Sequence, residues 1–177
     1  MRRTLVLGGA RSGKSAHAEG LLTDAPATYV ATGRVDPADA EWTARIAAHV
    51  ERRPAAWQTV ELADPEKLGP YLRTATGRVI VDDIGTWLTT LLDDTGAWED
   101  GVWEKKTVRR VCDELVDGVG ASQADIVLVS AEVGLGVVPA TRSGRLFRDQ
   151  LGALNAALAD RCTDVVLLVA GIPLRLR

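Results

Sequence analysis

The stretch Gly8-Gly9-Ala10-Arg11-Ser12-Gly13-Lys14-Ser15 follows the apolar run Leu5-Val6-Leu7 and leads into the helix-forming run Ala16 to Leu22. Strand, glycine loop and helix in that order, with the spacing G-x-x-x-x-G-K-S, carry a specific chemistry. Glycines at both ends let the backbone curl so that successive N–H groups point inward at a chain of phosphates. The start of the following helix adds partial positive charge. Lys14 reaches the β- and γ-phosphates, and the Ser15 hydroxyl is placed to ligate Mg²⁺. The expectation is a nucleoside triphosphate site made by Gly8, Gly9, Ala10, Arg11, Ser12, Gly13, Lys14 and Ser15. The plainer alternative is a glycine-rich turn that only joins a strand to a helix.

Outward from the loop, strands and helices alternate. Strands are expected at 27–32, 57–62, 78–81, 126–130 and 164–170, with a possible edge strand from Leu174 to Arg177 turned back after Gly171 and Pro173. Helices are expected from Ala38 to Arg53, where Trp42, Ile46 and Val50 form one apolar stripe, and from Asp64-Pro65 to about Thr74. Further helices are expected over 86–92, Val102 to Val119 and Thr141 to Arg161, and the polar stretch Asp93 to Gly101 reads as a mobile surface connection. The runs at 3–8, 78–82, 126–130 and 164–170 are apolar throughout, as in a parallel sheet covered on both faces. The fold class is therefore α/β, a mostly parallel central sheet flanked by helices, in one domain over 1–177.

Composition narrows the partners. A net charge of −3 gives no basic footprint for nucleic acid. No apolar run approaches the roughly 18–20 residues that span a bilayer, and the N-terminal run is too short for a signal peptide. Cys112 and Cys162 are far apart in helix-like surroundings and read as buried free thiols. A cytoplasmic protein is expected.

In a fold of this kind ligands gather at the carboxyl ends of the strands. The residues there are Thr32 and Gly33, Asp82 and Asp83, and Ser130, Ala131 and Glu132. Asp82 follows Val79-Ile80-Val81 directly, the placing of a carboxylate that supports Mg²⁺, although it also suits a helix cap. Arg45, His49, Arg52 and Arg53 share a basic helix face. That face suits phosphate, with His49 as base or covalent nucleophile; a solvated basic face is the alternative. Arg142, Arg145 and Arg148 recur every three residues and suit phosphate, a partner chain or solvent equally.

The chain resembles the bifunctional adenosylcobinamide kinase/adenosylcobinamide-phosphate guanylyltransferase family over nearly its full length. The resemblance rests on GGARSGKSAHAE (8–19), YVATG (29–33), EWTARIAAHVERRPAAWQTVE (41–61), VDDIGTWLTTLL (81–92), VSAEVGLGVVP (129–139) and RLFRDQLGALNAALA (145–159). It implies a RecA-like P-loop NTPase fold and two reactions. The first phosphorylates adenosylcobinamide with ATP or GTP. The second transfers GMP from GTP to adenosylcobinamide phosphate through a GMP-histidine intermediate, which falls on His49. The resemblance places guanine-nucleotide contacts at Thr32, Gly33, Arg34, Val50, Glu51, Arg52, Arg53, Glu61 and Asp82, and implies a homotrimer with sites between subunits. Three positions depart from the pattern of many relatives: Asp83, Ala131 where an Asn is usual, and Ala156 after Asn155. A P-loop kinase of another small molecule and a nucleotide-gated binding module are the competing readings of the loop alone; the lack of an N-K-x-D motif speaks against a Ras-like switch.

Overall fold

A computed structural model describes residues 1–22, 25–34, 53–99 and 105–177. Its frame is a seven-stranded sheet in the order β3-β2-β4-β5-β1-β6-β7. The strands are β1 (Arg3–Gly8), β2 (Thr28–Ala31), β3 (Gln58–Glu61), β4 (Arg78–Asp82), β5 (Asp125–Ala131), β6 (Asp164–Val169) and β7 (Ile172–Arg175). All neighbours pair in parallel except β6 and β7. The helices are α1 (Lys14–Gly20), α2 (Leu68–Thr74), α3 (Ile84–Asp94), α4 (Lys105–Ala121) and α5 (Arg142–Arg161). The mostly parallel α/β architecture expected from the sequence is the one observed.

The continuous apolar runs of β1, β4 and β5 have a direct cause. Successive side chains of a strand point to opposite faces, and both faces are covered. Leu5, Leu7, Val79, Val81, Ile126 and Leu128 join one core with α2, α3, α4 and α5. The alternate residues Val6, Ile80, Val127 and Val129 pack on the other face with Ala18 of α1 and with Leu22. Trp87 is fully buried in the first core, and its indole N–H donates to the Pro65 carbonyl at 3.1 Å. Helices α2 and α4 approach so closely that a Cβ on Gly118 would collide with the Gly69 carbonyl. Among the described residues, side chains cap three helical starts: Asp64 ahead of a short 3-10 turn (Pro65–Lys67), Asp83 ahead of α3 and Thr141 ahead of α5.

Three expectations are corrected. Strand β6 is not buried throughout: Val169 is 57% exposed, and β7, which pairs with its outer edge, is wholly exposed. Strand β7 begins at Ile172 rather than Leu174. Ala170 and Gly171, at φ 51° and 79°, make the reversal, and Pro173 sits in an edge strand. The stretch from Asp93, expected as a mobile connection, is tied down over its described part, 93–99, whose first two residues end α3. Ala97 is buried there, its N–H donates to the Leu92 carbonyl at 2.9 Å, and Arg142 donates to the Ala97 and Trp98 carbonyls at 3.0 and 3.2 Å. The helix expected from Ala38, with its Trp42–Ile46–Val50 stripe, lies outside the described residues up to Arg53, as does the expected start of the next long helix at Val102. No helix among the described residues is long and apolar enough to cross a membrane.

Candidate active site

The parallel register brings the carboxyl ends of the strands to one rim. Ala31 is level with Glu61 and with Asp82, Asp82 with Val129, and Gly8 with Ala131 and Leu168. Strand β1 lies between β5 and β6, where the direction of the chain connections reverses; open α/β sheets bind their ligands at such a point.

The loop after β1 is closed by the Ser12 N–H, which donates to the Gly9 carbonyl at 3.3 Å. Arg11 and Gly13 take left-handed backbone, φ 55° and 87°. Such alternation turns successive N–H groups toward one concave side. Two bonds from outside fix the loop: the Glu132 N–H donates to the Gly8 carbonyl and the Gly171 N–H to the Ser12 carbonyl, each at 3.1 Å. The Lys14 ammonium reaches back across the loop to the Gly9 carbonyl at 3.5 Å.

The two neighbouring aspartates do different things. Asp83 caps α3, its Oδ1 accepting from the Thr86 N–H at 2.6 Å, and its carbonyl accepts from the buried Thr32 hydroxyl at 2.8 Å. Asp82 turns toward the loop. Its Oδ1 accepts from the Ser15 hydroxyl at 3.4 Å and its Oδ2 from the Tyr29 hydroxyl at 2.8 Å. Burial, and then the Asp82 charge, push the Tyr29 phenol above its ordinary range, which keeps it a donor. Above the Tyr29 ring, 3.4 Å from its centroid, lies the Arg53 guanidinium, which also donates to the Thr59 hydroxyl at 3.0 Å. Tyr29 lies just below the rim, and its one signal in the sequence is a hydroxyl inside a short apolar run. Mg²⁺ takes oxygen ligands from one or two protein groups and completes its shell with phosphate and water. The Ser15 hydroxyl and Asp82 carboxylate suit that ion.

Of the other expected site residues, Thr32 and Gly33 follow β2 at the rim and Glu61 ends β3. Arg34 makes a two-pronged ion pair with Asp94, both bonds 2.7 Å, at the far end of α3. His49, Val50, Glu51 and Arg52 lie outside the described residues. Ser130 is buried beneath the rim, donating to Asn155 Oδ1 at 2.6 Å, while Asn155 Nδ2 donates to the Ala131 carbonyl at 3.0 Å. The arginine row of α5 binds the chain itself: Arg142 as above, Arg145 at the Pro139 and Ala140 carbonyls, Arg148 beside Asp149. Cys112 and Cys162 are free thiols, each pushed up to about 12 by burial.

Fold and rim together define the class, a P-loop nucleotide-binding protein of RecA-like type. A prototypical ATPase from the type III secretion system of pathogenic bacteria shares the fold, with a TM-score of 0.53 over 95% of this chain and 51% of that one, at 11% identity. The family model for cobinamide kinase / cobinamide phosphate guanyltransferase matches residues 4–176, and the chain belongs to that family. The bifunctional adenosylcobalamin biosynthesis protein CobP of Pseudomonas aeruginosa is 41% identical over 182 residues, covering 99% of this chain and 97% of the relative. The bifunctional adenosylcobalamin biosynthesis protein CobU of Salmonella typhimurium is 38% identical over 180 residues, covering 98% of each. Membership does not favour a kinase of some unrelated small molecule or a gated binding module.

Proposed function

We propose that this chain phosphorylates adenosylcobinamide with ATP or GTP and then transfers GMP from GTP to the product, both at the loop of residues 8–15. The observation that carries the reading is the Ser15–Asp82 pair behind a phosphate loop, in a chain that matches the family from residue 4 to residue 176. In the first reaction the acceptor hydroxyl oxygen bonds to the γ-phosphorus, the bond to the bridging oxygen breaks, nucleoside diphosphate leaves and the hydroxyl proton passes to water. Lys14 and the loop N–H groups hold the β- and γ-phosphates for that displacement. In the second, the neutral His49 ring attacks the α-phosphorus and pyrophosphate leaves. A phosphate oxygen of adenosylcobinamide phosphate then displaces His49, giving adenosylcobinamide-GDP.

Ser15 and Asp82 would hold Mg²⁺, which when bound neutralises phosphate charge as the leaving oxygen departs. Thr32, Gly33, Val50, Glu51, Arg52, Arg53 and Glu61 are the proposed nucleotide contacts. Arg34, committed to Asp94, is the one this geometry supports least. The proposal includes a single domain over 1–177, a cytoplasmic location and a homotrimer, the last readable by sedimentation equilibrium.

The test uses GTP labelled at the α-phosphate. The parent protein should keep label after denaturation in a bond that acid breaks and base does not, and His49→Ala should keep none while still phosphorylating adenosylcobinamide. Equal labelling of His49→Ala removes His49 from the transfer.

A further inference from the structure

We propose that Tyr29 is the positioning residue for Asp82, fixing the orientation in which its carboxylate faces the phosphate loop. The inference rests on the reading of Asp82 as a metal-supporting carboxylate given above. Strands β2 and β4 pair with Tyr29 level with Ile80 and Ala31 level with Asp82. Tyr29 therefore stands two residues short of the rim on the neighbouring strand, and a side chain as long as tyrosine spans that offset. Its hydroxyl donates to Asp82 Oδ2 at 2.8 Å, while Oδ1 of the same carboxylate faces Ser15 at 3.4 Å. A carboxylate free to rotate about its terminal torsion presents either oxygen over a broad range of angles. One oxygen held by a buried phenol removes that freedom, so the other is presented in one orientation.

The phenol is itself held. Tyr29 is 3% exposed, packed in the core with Ile80 and Val129. The Arg53 guanidinium closes over the ring, anchored through Nη1 to Thr59 on β3, so strands β3, β2 and β4 contribute one residue each to a continuous stack. Groups that orient a metal ligand from behind act on affinity nearly as the ligand does. The arrangement gives Tyr29 that role toward an ion shared by Ser15 and Asp82.

The test measures ion binding directly. Mn²⁺, visible by electron paramagnetic resonance, is titrated into the protein carrying the β,γ-imido analogue of GTP. Tyr29→Phe keeps the ring and the Arg53 stack and removes only the donor. It should weaken Mn²⁺ binding about tenfold, leave affinity for the analogue in EDTA at the parent value, and melt as the parent does. In an Asp82→Asn background, where the oriented carboxylate is gone, Tyr29→Phe should add little. The proposal is overturned if Tyr29→Phe binds Mn²⁺ like the parent while Asp82→Asn does not; the metal reading of Asp82 then stands without it. It is also overturned if Tyr29→Phe weakens the analogue equally in EDTA, which marks a packing role. Should Asp82→Asn itself bind Mn²⁺ like the parent, the metal reading fails and the inference with it.

Discussion

The two rims of the sheet handle polar groups in opposite ways. At the amino ends of the strands, charges are matched to one another or to carbonyls. The Arg2 backbone N–H donates to Asp125 and its side chain to Asp164. Arg3 donates to the carbonyls of Arg161 and Gly120, and Arg177 donates to the Ala159 carbonyl. Those contacts join the starts of β1, β5 and β6 to the ends of α4 and α5. At the carboxyl ends, the polar groups converge on the loop after β1 instead: Lys14 across its mouth, and Ser15 and Asp82 facing each other behind it. Mutual pairing closes the first rim. Convergence leaves the second able to take a ligand, with Asp82 held from behind by the Tyr29 hydroxyl.

The hardest test of this contrast is Lys14→Ala. It removes the ammonium that spans the phosphate loop and leaves the backbone bonds of the loop in place. Initial rates of phosphorylation and of GMP transfer should each fall about 10²–10³-fold, with the melting temperature close to the parent's. Unchanged rates would show that the convergence is not the working site. A finer cut separates adjacent residues of that rim. Asp82→Asn should lower both rates about 10²-fold with little loss of stability. Asp83→Ala loses the α3 cap and should cost about 1 kcal/mol of stability while keeping the rates. Urea melts and initial rates on the same preparations check both halves; the assignment of roles fails if the two phenotypes are exchanged.

How much of this was legible in the sequence follows from how local each feature is. The phosphate loop could be read because its chemistry lies within residues 8–15, and β1, β4 and β5 because burial on both faces leaves unbroken apolar runs. That Asp82 directly follows Val79-Ile80-Val81 is equally local, and Asp82 turns toward Ser15 while Asp83 caps α3. Tyr29 was not legible. Its meeting with Asp82 depends on β2 lying beside β4, a fact of sheet order that no local pattern encodes. Ser130, at the end of an apolar run, is expected at the site, yet it is drawn beneath the rim by Asn155, a residue on α5. The arginines of α5 showed their spacing but not their partners, which are carbonyls of the preceding loop and of the turn at 97–98. Polar side chains that bond to backbone leave no complementary residue type to find in a sequence.

The smallest expected effect lies at the amino rim. Asp164 accepts from Arg2 at 3.1 Å and from the Thr163 hydroxyl at 3.0 Å, with Arg175 at 3.3 Å. The Arg2 bond foremost, then that of Thr163, holds its carboxyl below the ordinary value of 3.8. A carboxylate depressed in the folded state adds stability that is fully present above its unfolded value and is lost as pH falls through its folded one. The Arg2 and Arg175 side chains are largely exposed, so solvent screening keeps the contribution small. Asp164→Asn should therefore melt slightly below the parent at neutral pH, the gap should close as pH drops below 3.8, and both transfer rates should be those of the parent. A melting gap that stays constant into strong acid would mean that packing rather than charge holds this rim. A fall in rate would mean that the rims are coupled through β1 and β6, since the Asp164 end of β6 and its turn at Gly171, bonded to Ser12, would then be acting as one element.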